Sequence, residues 1–221
     1  MEIIADIYND YKEKFGIPRQ SGMNTGVISR IVFRKEYRIK EAISGLEEFS
    51  HLWLLWDFNL FEKTGWSPTV RPPVLGGNKR VGVFATRSPN RPNSIGLSCV
   101  KIEKISLDEK DSPVIYVTGA DMADATPLYD IKPYIPYADC VFDAKGGFSD
   151  EHKDERMAVI CDEEISENVD KSTMKNIIDI LSLNPCPRYI NDSQRVYGMA
   201  FGNYEIKFTL DEKTVRIISI E

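Results

Sequence analysis

The residues best equipped for chemistry lie in four polar, turn-rich segments. "RSPNRPN" (Arg87–Asn93) crowds two arginines, two prolines and two asparagines between apolar stretches. "YKEKFGIPRQSG" places Arg19 and Gln20 behind Pro18. "WDFNLFEKTGW" sets Asp57 and Asn59 abruptly after Trp53 and Trp56. "DMADATPLYDIKPYIPYAD" combines Asp121, Asp124, Thr126, Asp130, Lys132 and Tyr134 with three prolines. Arginine offers a planar fork to a carboxylate or phosphate, and Asp or Asn can hold a ribose hydroxyl or a purine amino group. Proline fixes φ and lowers the entropy lost when side chains converge on a ligand. Each segment alone is also an ordinary turn, since proline and asparagine make turns everywhere. Four at strand ends suit a ligand site at one end of a barrel.

Between Glu62 and Glu103 there is no Asp or Glu, whereas Lys63, Arg71, Lys79, Arg80, Arg87, Arg91 and Lys101 all fall there. Folded onto one face, this stretch gives an acidic chain a local positive patch for phosphates or a small carboxylate. A solvated surface paired with acids from elsewhere is the other reading. "NPCPRY" ends a helical pattern and presents Arg188 beside Tyr189. It reads as a rigid connector or as a clamp for an unstacked base.

Other chemistries lack their residues. No GxGxxG follows a strand, and there is no GxxxxGK[ST], GxSxG or HExxH. Two histidines and four scattered cysteines without a CxxC pair leave no metal cluster in view, and no metal is expected. Acid–base work falls to carboxylates, tyrosines or lysines.

The elements that must position these loops read mainly as strand. Gly26–Phe33, His51–Phe58, Arg80–Arg87, Ile95–Leu107 and Pro113–Asp121 are apolar or β-branched runs separated by turn signals. A short helix is expected around Lys40–Phe49. Strands this frequent suggest an antiparallel β-barrel, mainly β in class. After "DAKGGFSD" the character changes to a charged run, a helix with Met174, Ile177, Ile178 and Leu181 on one face, and a hairpin turning at Asp211-Glu212-Lys213. The expected division is a barrel over 1–145 and a small α+β subdomain over 150–221. The length of 221 residues, 42% hydrophobic and 28% charged residues, and a net charge of −6 fit a globular chain rather than a nucleic-acid coat. No apolar run reaches membrane-spanning length and no signal peptide opens the chain, so a cytoplasmic location is expected.

"YKEKFGIPRQ", "GLEEFSHLWLLWDF", "RPPVLGGNKRVGVFATRSPNRPNSIGLS" and "TPLYDIKPYIPYAD" together resemble the TrmO family, also called TsaA-like or YaeB. "NPCPRY" resembles its "DPRPAY". The resemblance implies a β-barrel methyltransferase, a homodimer, and S-adenosylmethionine bound near the subunit interface. It further implies methylation of N6 of N6-threonylcarbamoyladenosine beside the anticodon of threonine tRNA. A non-catalytic RNA-binding module, or another methyl acceptor, is the alternative.

By resemblance, cofactor contacts fall at Pro18, Arg19, Gln20, Asn59, Leu60, Arg87, Leu97, Asp124, Ala125, Thr126 and Pro127. Two positions depart from the family pattern. Ser94 stands where a proline is usual and is expected to loosen one turn. Ala125 stands where a glycine is usual, a place for φ > 0 or close backbone approach. The acceptor nitrogen is urea-like and must lose its proton, with Asp124 and Asp130 as candidate bases. Arg91, Asn93, Arg188 and Tyr189 are assigned to the tRNA anticodon loop or to the threonyl carboxylate, with RNA binding that weakens steeply with salt.

Overall fold

The computed structural model describes residues 1–61, 65–76, 78–152, 155–184, 194–211 and 213–221. Alternation of buried and outward side chains draws out eight strands before Pro136. They are β1 (Ala5–Tyr8), β2 (Ile28–Phe33), β3 (His51–Asp57), β4 (Thr69–Val70), β5 (Val81–Gly82), β6 (Ile95–Ser106), β7 (Val114–Thr118) and β8 (Thr126–Pro133). Six of them close a barrel in the order β1-β2-β7-β6-β3-β8, every pair antiparallel. Its interior is filled by Ile7, Ile31, Leu52, Leu54, Val100, Ile115, Val117 and Leu128. Closure leaves no edge strand to be managed.

The register decides where the loops go. Asp57 faces Ile95, Ile7 faces Thr126, and Ile28 faces Thr118. The ends of β1, β3 and β7 and the starts of β2, β6 and β8 therefore share one rim. All four polar segments open onto it.

Two sequence expectations are corrected. Arg80–Arg87 is not one strand: β5 pairs only with β4, and a 3-10 turn follows at Val83–Ala85. The chain is turned there because Thr86 bonds back to the Val83 carbonyl through both its N–H and its hydroxyl. The helix around Lys40–Phe49 is two short 3-10 turns, Lys40–Ile43 and Leu46–Glu48, parted by Gly45 at φ 85°.

β8 adds a strand where the sequence reads as loop. A register shift opposite Leu55/Trp56 interrupts its alternation. Pro127 and Pro133 mask it further, although they lie near its two ends.

A short helix, α1 (Pro136–Asp139), leads to the second unit. There β9 (Ala158–Ile160), β10 (Val196–Phe201), β11 (Tyr204–Leu210) and β12 (Thr214–Ile220) form a sheet in the order β10-β11-β12-β9. Two helices accompany it, α2 (Glu163–Ser166) and α3 (Lys171–Ser182). Asp170 caps α3 by accepting from the Ser172 hydroxyl and from the Ser172 and Thr173 N–H groups; these bonds, those of the Ser172 and Thr173 side chains foremost, hold its carboxyl well below the usual range. Asn184, at φ 52°, ends the helix in a left-handed turn. The buried face is Met174, Ile177, Ile180 and Leu181; Ile178 points outward, so Ile180 takes its expected place. β11 and β12 turn at Asp211–Thr214, with Glu212 outside the described residues.

The two units share the segment after β1. Tyr11, Phe15, Ile17 and Val27 pack into the second core, not the barrel. The loop bearing Pro18, Arg19 and Gln20 is thus mounted on one unit while it reaches over the other. Gly16 permits this, because a Cβ there would drive into the Met199 side chain.

Candidate active site

Hydrogen bonds tie the rim loops to one another. Arg87 donates to Gln20 Oε1 at 2.7 Å, joining the Arg87–Asn93 segment to the one behind Pro18. Where β7 ends, the Pro18 segment takes its place beside β6: Gly22 N–H donates to Gly119 O, and Cys99 N–H to Ser21 Oγ. Thr126 and Asn59 approach through Oγ1 and Oδ1 at 3.4 Å, joining the segment after Trp56 to the one that leads into β8. Leu60 and Leu97 are 43% and 46% exposed, apolar side chains left in solvent on this rim. Arg19 instead donates to Asn184 O at 2.8 Å, binding the loop to the end of α3, where a cation also meets the helix dipole favourably.

Ala125 holds φ at 56°, the left-handed conformation expected from the glycine pattern. A side chain there costs about 1–2 kcal/mol, against up to ~1 kcal/mol of unfolded-chain entropy that glycine would add. Ala125→Gly is therefore expected to raise stability by about 0.5–1 kcal/mol, measured as a shift in the urea midpoint. Ser94 does not loosen its turn, contrary to expectation. Its hydroxyl donates to Pro89 O at 2.6 Å and closes the loop that a proline would have stiffened.

The two candidate bases differ in environment. Asp124 Oδ1 accepts the Asn9 N–H at 2.9 Å, and Oδ2 pairs with Lys12 at 3.0 Å. Both oxygens clasp β1's continuation to the start of β8, which gives Asp124 a structural task. Asp130 pairs with Lys132 at 2.7 Å across an exposed surface. It lies opposite Leu55 on β3, whose other neighbour is Leu97 on β6. Asp130 and Leu97 thus flank Leu55 on the outer barrel face, about 10 Å apart at two strand spacings.

Arg91 donates through one nitrogen to Thr86 O at 2.8 Å and stands over the Phe84 ring. Asn93 is exposed. Arg188 and Tyr189 lie outside the described residues.

Asp121, named from the sequence only as part of its segment, completes the rim together with Trp56 and Ser98, to which sequence reasoning assigned no role. Trp56 Nε1 donates to Ser98 Oγ at 2.9 Å, and Ser98 Oγ donates to Asp121. Burial pushes the Asp121 carboxyl up to about 6, against the opposing pull of Ser98, its own backbone N–H, Arg87 and the Ser21 N–H. The signal in the sequence is faint: an aspartate followed by "MAD" at a strand end, with partners 23 and more residues away.

Residues 6–140 match the tRNA-methyltransferase O N-terminal domain, and residues 154–221 match the TrmO C-terminal domain. The chain belongs to the TrmO family. It is 34% identical to the tRNA (adenine(37)-N6)-methyltransferase of Escherichia coli, covering 100% of this chain and 97% of that one. The enzyme of the same name from Eikenella corrodens is 38% identical over 74% of this chain and 92% of its own. A crystal structure of TrmO from Pseudomonas aeruginosa superposes with a TM-score of 0.77 at 29% identity, covering 99% and 97% of the two chains. Two Pseudomonas relatives are described as putative S-adenosylmethionine-dependent methyltransferases, one of them 42% identical over 66% of this chain and 62% of its own.

The rim suits such a cofactor. Arg87 presents a cation, Asn59 presents an amide backed by the buried Thr126 hydroxyl, and Leu60 and Leu97 present uncovered apolar surface. No helix among the described residues is long and apolar enough to cross a membrane.

Proposed function

We propose that this chain is an S-adenosylmethionine-dependent methyltransferase acting on N6 of adenine 37 in threonine tRNA, once that base carries a threonylcarbamoyl group. The observation that carries the reading is the convergence of four loops on one barrel rim, with Arg87 braced against Gln20. Full-length similarity to tRNA (adenine(37)-N6)-methyltransferases supports the reaction class. When bound, the cofactor supplies a methyl group activated on a sulfonium sulfur. Arg87 would receive its carboxylate and Asn59 its hydroxyls, with the buried Thr126 hydroxyl steadying Asn59 from behind, and Leu60 and Leu97 would meet its apolar flanks. The protein's task is alignment and exclusion of water.

Asp130 takes the N6 proton. It shares the outer face with Leu97, and its bond to Lys132 is a surface pair that opens at little cost. Two copies act together in this reading: beyond β8, Tyr137 and Phe142 stand almost wholly in solvent and Val141 is largely exposed, an apolar set that a second copy would cover. Action on tRNA is consistent with a cytoplasmic location.

Transfer of labelled methyl to tRNA, with and without the threonylcarbamoyl group, tests the proposal. Label entering only modified tRNA is expected. Bound cofactor without transfer to either would favour a non-catalytic RNA-binding module. Arg87→Ala is expected to weaken cofactor binding about tenfold to hundredfold, the range for a charge-assisted hydrogen bond. Calorimetry measures it; an unchanged affinity would remove Arg87 from the cofactor set.

A further inference from the structure

A groove of about 500 Å³ opens beside the rim, on the outer barrel face. Asp57, Phe61, Trp66, Arg91, Asn93 and Tyr129 line it. Its floor is the next outward row from Leu97 and Asp130, because Asp57 faces Ile95 two positions on from the pairing of Leu55 with Leu97. Its far wall is fastened to the Arg87–Asn93 loop by the Ser67 N–H, which donates to Asn90 O.

We infer that this groove seats the acceptor adenine of the RNA, taken out of its stack and laid against Trp66; the inference rests on the reaction proposed above. The indole is 55% exposed, an uncovered aromatic face beside the loop that carries Arg91 and Asn93. Such an indole with a neighbouring cation is what an unstacked base requires. Asn93 presents an amide, with donors and an acceptor, to a base edge. Arg91 brings positive charge within a stretch free of acids, suited to a phosphate or to the carboxylate carried by the modified base. Asp57, on the groove floor, accepts a hydrogen bond from Tyr129; burial first, and that bond with it, raise the phenol above its usual range, so Tyr129 stays a neutral donor. Chemistry on a base within a folded loop demands extrusion of that base, and this groove lies one row from both Leu97 and Asp130.

The test uses the full chain, a fluorescent threonine-tRNA anticodon stem-loop bearing the threonylcarbamoyl group on adenine 37, and the same stem-loop made abasic at that position. Wild type is expected to bind the intact RNA about tenfold more tightly than the abasic one. Trp66→Ala is expected to lose that preference while keeping cofactor affinity, and Trp66→Phe to retain most of it. Equal weakening toward both RNAs, or parallel loss of cofactor, overturns the groove assignment. Wild-type protein that shows the preference but transfers no methyl supports the groove and sinks the reaction instead.

Discussion

Gly96→Ala is expected to destabilise the protein by about 3 kcal/mol or more and to disorder the rim. A Cβ at this position would fall inside the van der Waals envelope of Trp56 Cε2 and Cδ2. The indole has nowhere to retreat. It is buried, it packs against the Phe58 ring with centroids 4.2 Å apart, and Nε1 is bonded to Ser98. Overpacking a rigid ring typically costs 1–3 kcal/mol. Pulling Nε1 from Ser98 adds about 1–3 kcal/mol for a buried donor left unpaired. Denaturant unfolding measures the loss, and the near-ultraviolet dichroism of the tryptophans reports the displaced ring. Adding Trp56→Phe should return part of the lost stability, since the two sites are in contact and their effects are not additive. A single variant within ~1 kcal/mol of wild type would mean that the strand yields and the ring is not wedged.

The same strand pair shows what the sequence made legible. β2, β3, β6 and β7 were readable because β-branched and aromatic residues recur between strong turn signals, and hydrophobic pattern fixes register once one face is buried. The loops were readable as loops, and closure of the barrel gathers them on one rim. β8 was not, because a bulge at Tyr129 and outward Asp130 and Lys132 break its period. Asp130 therefore moves from an expected loop to the outer face of a strand. The mounting of Pro18–Gln20 on the second core was also hidden: Tyr11, Phe15 and Ile17 look like ordinary apolar residues and declare their partners only in three dimensions. The link from Trp56 through Ser98 to Asp121 could not be read either. Its members lie on separate strands and loops, and their adjacency is a product of closure.

Asp121→Asn is expected to stabilise the folded protein at neutral pH while loosening the loop that follows Pro18. The carboxyl has an ordinary value of 3.8 and is raised to about 6 in the fold. The native state therefore binds more protons than the unfolded state between those values, and this group's contribution to stability is present below pH 4 and lost as pH rises through 6. At pH 7 its buried charge costs about 3 kcal/mol. Asparagine carries no charge and can still accept from Ser98, so a net gain of about 1–2 kcal/mol is expected after the imperfect bonds of its amide are counted. The gain should shrink between pH 6 and 4 and pass into a deficit of about 1–2 kcal/mol, as the wild-type carboxyl becomes protonated and only the amide's imperfect bonds remain. Unfolding curves of both proteins across that range measure it; a gap independent of pH would show that charge burial is not its cause. The reason to keep so costly a group lies in what it holds. Its carboxylate accepts from the Ser21 N–H and faces Arg87, while Ser21 accepts from Cys99 and Arg87 from its side bonds Gln20. With the charge removed, the Ser21 amide should exchange its hydrogen faster even as global stability rises. Sites that spend stability on a fixed geometry behave in this way, and an Asn variant that protects Ser21 as well as wild type does would deny Asp121 that role.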